Sequence, residues 1–326
     1  MDLDLLFLGT AGSAPTASRG TSSTLVRRGG DRLLVDCGEG TQRQLLRSDA
    51  GLTDLEHVFL THLHADHVLG LPGMLKTFAL RGRDTPIEVY GPRGTRGLLR
   101  ALGVVIGRLT YELRVVELAP GDTVERDGYR LVPFAVKHGG GALGYSLRED
   151  ERPGRFDVAA ADALGVPDGP ARGALQRGEE VTLPDGRMVR PGQVLGPARR
   201  GRAVALTGDT APSATVVDAA AGADVLVHEA TFLADERGRA QETEHSTAGE
   251  AALVAREAGV ALLALTHVSS RYAASEVEAE ARQLFPDTVV PRDFDVIELP
   301  LPERGPPGLV ARGGRRARTQ DVGSGS

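Results

Sequence analysis

The sequence predicts an α/β protein of layered sheets, one large domain carrying an insertion. Short apolar runs recur along the chain, and one after another they end in a histidine or an acid. Capped helical stretches lie between some of these runs. At 326 residues the chain can bury a full core. A two-layer domain commonly takes about 200–250 residues, which leaves room for an inserted segment.

Leu3 to Leu8 reads as a buried strand ending in the turn Gly9-Thr10-Ala11-Gly12-Ser13-Ala14-Pro15. The Gly-x-Gly-x-x-Gly spacing of a dinucleotide loop is absent here and no helical pattern follows. Thr24 to Val26 and Arg32 to Val35 flank a Gly29-Gly30 turn and read as a hairpin whose second strand stops at Asp36. His57-Val58-Phe59-Leu60 runs into Thr61-His62. Leu131 to Val136 runs to His138, Ala203 to Thr207 to Asp209, Asp224 to Val227 to His228-Glu229, and Ala261 to Thr266 to His267. Loops at one edge of a rigid scaffold collect chemistry, so these endings predict a single site along one sheet edge.

Between Leu147 and Arg202 that pattern stops. Pro153-Gly154, Gly165-Val166-Pro167, Gly169-Pro170, Pro184-Asp185-Gly186 and Pro191-Gly192 punctuate the stretch, with no amphipathic period long enough for a core helix. It reads as a protruding insertion, residues 148–200, in a domain spanning residues 1–300. After His245, Thr247 and Glu250 match a capping box opening the helix Ala251 to Ala258, which Gly259 stops. Ser275-Glu276-Val277-Glu278 opens a second capped helix. From Leu301 onward, prolines, glycines and Arg312, Arg315, Arg316 and Arg318 give no periodicity, and residues 301–326 are expected to be a disordered tail.

Thr61-His62-Leu63-His64-Ala65-Asp66-His67 places three imidazoles and a carboxylate within six residues. Neutral imidazole nitrogen and carboxylate oxygen are ligands for zinc and similar metals. Histidines at i and i+2 of an extended segment point the same way, whereas Asp66 and His67, adjacent at a helix start, diverge toward a second position. This geometry suits two neighbouring metals.

Composition narrows the function. The net charge of -6 argues against a general nucleic-acid coat, so any nucleic-acid contact depends on local patches. Lys76 and Lys137 are the only lysines among the basic residues, a pattern that compositional bias explains. Cys37, the single cysteine, excludes an internal disulfide framework, fits a reducing compartment and reads as a packed thiol. The first residues lack the positive region of a secretory signal, and no stretch approaches the ~20 apolar residues of a membrane span. The expected location is the cytoplasm.

The His-x-His-x-Asp-His string resembles the signature of the metallo-β-lactamase superfamily, which implies an αββα sandwich. Asp36 to Leu45, His228-Glu229-Ala230-Thr231, His245-Ser246-Thr247 and His267 to Tyr272 extend the likeness, and together they resemble ribonuclease Z, the endonuclease family that trims precursor tRNA 3′ ends. The resemblance runs from about residue 3 to about residue 300. It implies a first zinc on His62, His64 and His138, a second on Asp66, His67 and His267, and Asp209 bridging both. Manganese or iron fits the same donors. It also implies Asp66 as proton acceptor, a flexible arm at residues 148–200 that grips the tRNA, and a homodimer.

The residues themselves suggest the remaining chemistry. Two metals about 3.5–4 Å apart can activate water and neutralise phosphodiester charge. The leaving 3′-oxygen needs a proton, and His245 is the candidate donor. The helix it precedes would lower its pKa, and Glu229 would raise it again while orienting the ring. The resemblance assigns the same two residues. Arg271 can hold a phosphate with a bidentate fork. His57, at a strand start, reads as structural. The expected activity is removal of the precursor tRNA 3′ trailer after the discriminator base, leaving a tRNA 3′-hydroxyl and a trailer 5′-phosphate. The rivals are a small-molecule hydrolase of the same fold acting on a phosphodiester, thioester or lactam, and a noncatalytic RNA-binding protein.

Overall fold

The computed structural model describes residues 1–311. In chain order its strands begin with β1 (Leu3–Gly9), β2 (Ser23–Arg28), β3 (Asp31–Val35), β4 (His57–Phe59), β5 (Ile87–Gly91) and β6 (Leu113–Glu117). Next come β7 (Val124–Arg126), β8 (Tyr129–Ala135), β9 (Leu143–Glu149), β10 (Val181–Thr182) and β11 (Met188–Val189). The last are β12 (Ala203–Leu206), β13 (Val225–Glu229), β14 (Leu262–Thr266), β15 (Thr288–Val289), β16 (Val296–Glu298) and β17 (Gly308–Val310). One sheet has the order β17-β16-β1-β2-β3-β4-β5-β6, a second the order β15-β14-β13-β12-β9-β8-β7, and β10 and β11 pair as a separate two-stranded sheet.

Register explains why the strand endings gather. β3, β4, β5 and β6 run parallel with Val35, Phe59, Tyr90 and Val116 abreast, so Asp36 and the Thr61–His67 loop leave the same edge. In the second sheet β12, β13 and β14 are also parallel, with Leu206, Val227 and Ala264 abreast, which sends Asp209, Glu229 and His267 out together. The predicted Gly29-Gly30 hairpin is present as the antiparallel β2–β3 pair.

The described residues divide into two compact units. The larger comprises Met1–Val124, Leu131–Leu147 and residues 203–311. Its first sheet packs on the helices Thr41–Arg47 and Gly70–Leu80 through Leu8, Leu34, Leu45, Leu60, Met74 and Phe78. Its second sheet packs on a face of small residues. Ala248, Ala251, Ala252, Ala255 and Ala258 of the helix Ala248–Ala258 are all buried, at the spacing of one helical stripe. The expected capping box starts this helix: Thr247 Oγ1 accepts the Glu250 N–H at 3.1 Å, and Glu250 Oε2 accepts the Thr247 N–H at 3.1 Å. Gly259 ends it at φ 64°, in the left-handed region that glycine enters without cost.

The smaller unit comprises Glu125–Arg130 and Arg148–Arg202. Ala161, Val166, Leu175, Leu183, Val189 and Val194 form its own small core. Asp157 caps the helix Val158–Ala163 by accepting the Ala160 N–H at 2.9 Å, and the helix Pro170–Gln176 follows. Both are under two turns, too short to show a period in the sequence. A buried Glu149–Arg202 pair, bidentate at 2.7 Å for each bond, closes the unit.

The second capped helix starts earlier than its sequence suggests, as Ala274–Arg282, with Ala273 at the N-cap donating its N–H to Glu276 at 2.7 Å. The expectation of a disordered tail from residue 301 is corrected for its first part. Residues 308–310 form β17, an edge strand pairing Leu309 with Ile297 and Val310 with Val296. Two apolar residues suffice for edge pairing and are too few to register as a pattern. The remainder, with Arg312, Arg315, Arg316 and Arg318, lies outside the described residues. No helix among the described residues is long and apolar enough to cross a membrane.

Candidate metal centre and active site

The loop after β4 is held by a carboxylate beneath it. Asp36, left-handed at φ 61° and buried, accepts the Thr61 N–H at 2.8 Å on Oδ1. Its Oδ2 accepts the Thr61 hydroxyl at 2.8 Å and His67 Nδ1–H at 2.7 Å. Gly208, ahead of Asp209, is pressed against this loop: a Cβ there would lie 2.7 Å from Thr61 Cβ. Only glycine lets the two sheets' loops approach so closely.

Seven predicted ligands converge above this support. His62, His64 and His138 form one group and Asp66, His67, Asp209 and His267 another, their ligand atoms within 4.8 Å of one another in each group. Asp209 Oδ2 is the common point, 3.3 Å from His67 Nε2 and from His267 Nε2, 3.7 Å from His62 Nε2 and 4.0 Å from His138 Nε2. Asp66 Oδ2 is 3.2 Å from His267 Nε2 and 3.5 Å from His67 Nε2. His138 places Nδ1 at 3.0 Å from the Glu244 carbonyl and donates there, so its Nε2 lone pair faces His64 Nδ1 at 3.2 Å.

Such an arrangement of nitrogen and oxygen lone pairs fits divalent metals. His62 Nε2, His67 Nε2 and Asp209 Oδ1 are buried yet find no hydrogen-bond partner among the described residues, a cost that metal ligation removes. Burial, then the neighbouring His67, push the His62 pKa down to about 2, keeping a ring that can bind a cation neutral. At His67 burial acts in the same direction, but Asp209 and Asp36 overcome it and hold the pKa well above the ordinary range. The carboxylates therefore draw positive charge into the place where the two groups meet.

Glu229 builds the second part of the site. Its Oε1 accepts the Thr210 N–H at 2.8 Å and His245 Nδ1–H at 2.7 Å. Its Oε2 accepts the Thr231 hydroxyl at 2.6 Å and the Thr231 N–H at 3.2 Å. Burial lowers the His245 pKa, but the Glu229 hydrogen bond and charge outweigh it, and the net shift is upward. The His245 ring lies 4.8 Å from that of His138 and 5.5 Å from that of His267, centre to centre.

Arg271 is on the same side of the chain's chemistry but engaged: it pairs with Glu236, which also accepts the Tyr272 hydroxyl at 2.9 Å, and its guanidinium sits 5.7 Å from the centre of the Phe232 ring. His57 is 3.2 Å from Glu88 at the start of β4, the end opposite the ligand loop. Cys37 is buried, and burial pushes its thiol pKa up. Sequence reasoning placed Asp36 and Thr61 only at strand endings that mark the site and gave no role to Thr210 or Thr231. It also passed over the turn after β1, where Ser13, at φ 60°, donates its N–H to Asp66 Oδ2 at 3.0 Å. A separate cavity of about 650 Å³, bordered by Arg32, His57, Phe78 and Arg81, contains none of the ligand residues.

The comparisons agree with this geometry. A family model described as "Beta-lactamase superfamily domain" matches residues 31–166. A ribonuclease Z of Gemmatimonas aurantiaca is 47% identical over 308 residues, 93% of this chain and 98% of that protein. A ribonuclease Z of Myxococcus xanthus is 49% identical over 303 residues, covering 92% of this chain and 98% of its own length. Among solved structures, the short form of human tRNase Z superposes with a TM-score of 0.67 at 28% identity, covering 91% of this chain and 99% of that one. With relatives this similar over nearly their whole length, and with the metallo-β-lactamase fold beneath the site, the chain belongs to the ribonuclease Z family.

Proposed function

We propose that the chain removes the 3′ trailer of precursor tRNA, cutting after the discriminator base to leave a tRNA 3′-hydroxyl and a trailer 5′-phosphate. The observation that carries this reading is the His245–Glu229 pair, 2.7 Å apart, beside two groups of metal-ligating side chains. His62, His64 and His138 would hold one zinc, Asp66, His67 and His267 the other, and Asp209 would touch both; manganese or iron suits the same donors. When bound, the metal pair supplies Lewis acidity and an activated water.

The protein's own groups do the rest. With Nδ1–H committed to Glu229, protonated His245 carries its other proton on Nε2. That proton goes to the departing 3′-oxygen, which would otherwise leave as a strong base. Glu229 holds the ring's orientation and its positive charge. Asp66 takes the proton of the attacking water. It passes that proton on to solvent. Arg271 exchanges Glu236 for a substrate phosphate.

Residues 148–200 serve as the tRNA-binding arm. Supporting this is their separate small core; the ten arginines between positions 148 and 202 stand against nine acids, so charge does not carry the reading. A homodimer is the state that the ribonuclease Z resemblance implies. A cytoplasmic location suits the substrate.

The test is cleavage of a 5′-labelled precursor tRNA by the wild type and by His245→Ala, each with its metal content measured. The wild type should give one product ending at the discriminator. His245→Ala should keep its metal and lose roughly 10²–10⁴-fold in rate. Metal-loaded wild type that leaves the precursor intact refutes the reading.

A further inference from the structure

Thr231 is in neither ligand group, yet it lies between two residues that the proposed reaction uses. Its hydroxyl has one proton. That oxygen is 2.6 Å from Glu229 Oε2, and an ionised carboxylate only accepts, so the proton points to Glu229. The same oxygen is 2.8 Å from His267 Nδ1 and must therefore accept Nδ1–H. A neutral His267 is then left with a bare Nε2, 3.2 Å from Asp66 Oδ2 and 3.3 Å from Asp209 Oδ2. Three lone pairs converge with no side-chain proton between them; the Ser13 N–H, 3.0 Å from Asp66 Oδ2 and 3.4 Å from His267 Nε2, stands beside them, and a bound cation would relieve the rest.

Glu229 thus orients two imidazoles, His245 directly and His267 through a hydroxyl. The same device stands at the end of β4. Asp36 Oδ2 holds His67 directly at 2.7 Å, and Thr61, whose hydroxyl donates to it at 2.8 Å, accepts from His62 Nδ1 at 3.1 Å. Each carboxylate is buried, and each reaches its second histidine through a threonine that has no proton to spare.

We propose that Thr231 is a positioning residue: it locks His267 in the Nδ1–H tautomer and ties its metal ligation to the Glu229–His245 proton donor. The proposal rests on the reading of His267 as a metal ligand. It makes the centre and the proton donor share one carboxylate, so a change at either is felt at the other.

Thr231→Val keeps the side chain's volume and removes the hydroxyl, whereas Thr231→Ser keeps the hydroxyl and loses a methyl. Zinc affinity, by competition with a chromophoric chelator, is the first readout. Outer partners of metal-bound histidines typically contribute 10–100-fold in affinity, so the valine variant should bind one of its two zinc ions roughly 10–100-fold more weakly, and the serine variant should stay within about threefold of wild type. The second readout is the imidazole ¹H–¹⁵N spectrum of the zinc-loaded protein. The His267 Nδ1 proton should be protected from exchange in the wild type and the serine variant, and lose that protection in the valine variant.

A role in packing alone predicts the opposite order, with serine worse than valine, and that order overturns the proposal. If the valine variant does not fold, the serine variant decides: within about threefold sustains the relay, and a loss of more than about tenfold defeats it. Wild type that takes up no divalent metal defeats the ligand reading itself. Wild type that takes two, with a valine variant that holds both as tightly, defeats only the part given to Thr231.

Discussion

Asp36→Asn is the sharpest test of how the ligand loop is supported. The residue sits at φ 61°, a conformation asparagine tolerates nearly as well as aspartate, so the substitution leaves the backbone in place and changes only the acceptor set. Asp36 receives three donors: the Thr61 N–H on Oδ1, and the Thr61 hydroxyl and His67 Nδ1–H on Oδ2. An amide has one oxygen. Turned to keep His67 and the hydroxyl, its NH₂ meets the Thr61 N–H; turned the other way, it meets His67 Nδ1–H, while the hydroxyl keeps an acceptor at 3.1 Å. The better orientation leaves one buried donor facing another, a loss of about 1–3 kcal/mol. At the metal centre, removing such an outer partner should weaken binding roughly 10–100-fold, or about 1.4–2.7 kcal/mol. Chelator competition measures the second quantity, and thermal or urea unfolding of the metal-free protein the first. Unchanged zinc affinity together with unchanged metal-free stability would refute the reasoning.

Glu229→Gln should move the alkaline limb of the kcat–pH profile to lower pH. Glu229 raises the His245 pKa, the active protonated ring is lost as pH rises through that pKa, and removing the negative charge lowers it; a limb that stays in place would separate His245 from the profile. Arg271→Ala should raise KM for precursor tRNA roughly 10–150-fold, the ~1.5–3 kcal/mol of a charge-assisted hydrogen bond, and leave kcat nearly unchanged. Arg202→Ala leaves buried Glu149 without its bidentate partner and should destabilise the smaller unit by about 3–5 kcal/mol, read as faster proteolysis within residues 148–202. A chromogenic phosphodiester should be hydrolysed faster than the corresponding monoester, with steady-state rates on the metal-loaded enzyme deciding.

What the sequence made legible follows from covalent spacing. His62, His64, Asp66 and His67 are neighbours in the chain, and the other ligands stand at the ends of apolar runs that a parallel sheet brings abreast. What stayed hidden depends on which loops face each other. Thr231 and His267 are 36 residues apart, and a threonine carries no chemical signature until its hydroxyl is caught between a carboxylate and an imidazole. Arg271 looked like a free loop cation because its partner Glu236 lies 35 residues upstream, in the 3-10 turn Ala234–Glu236. The core of the smaller unit was invisible for another reason: it is assembled from single residues, Ala161 and Leu175 on two very short helices, Val189 on a short strand, and Val166, Leu183 and Val194 between elements, with no stretch long enough to repeat.

The charge of the site links these hidden contacts to the substrate. Asp36, Asp209 and Glu229 are buried, and Asp66 is largely so, with 13% of its side chain accessible. Four carboxylates in so dry a place are costly unless positive charge accompanies them. In the proposed state, two divalent ions and protonated His245 contribute five positive charges against these four. While the nucleophile is still water, one positive charge remains, and a single phosphodiester anion neutralises it. A monoester dianion would leave the site overcharged in the other sense. On this account the buried carboxylates do more than orient ligands: they reduce the field of the metal pair to the strength suited to one link of a nucleic-acid backbone. Thr61 and Thr231 then allow two of them, Asp36 and Glu229, to act from beneath the site without occupying ligand positions.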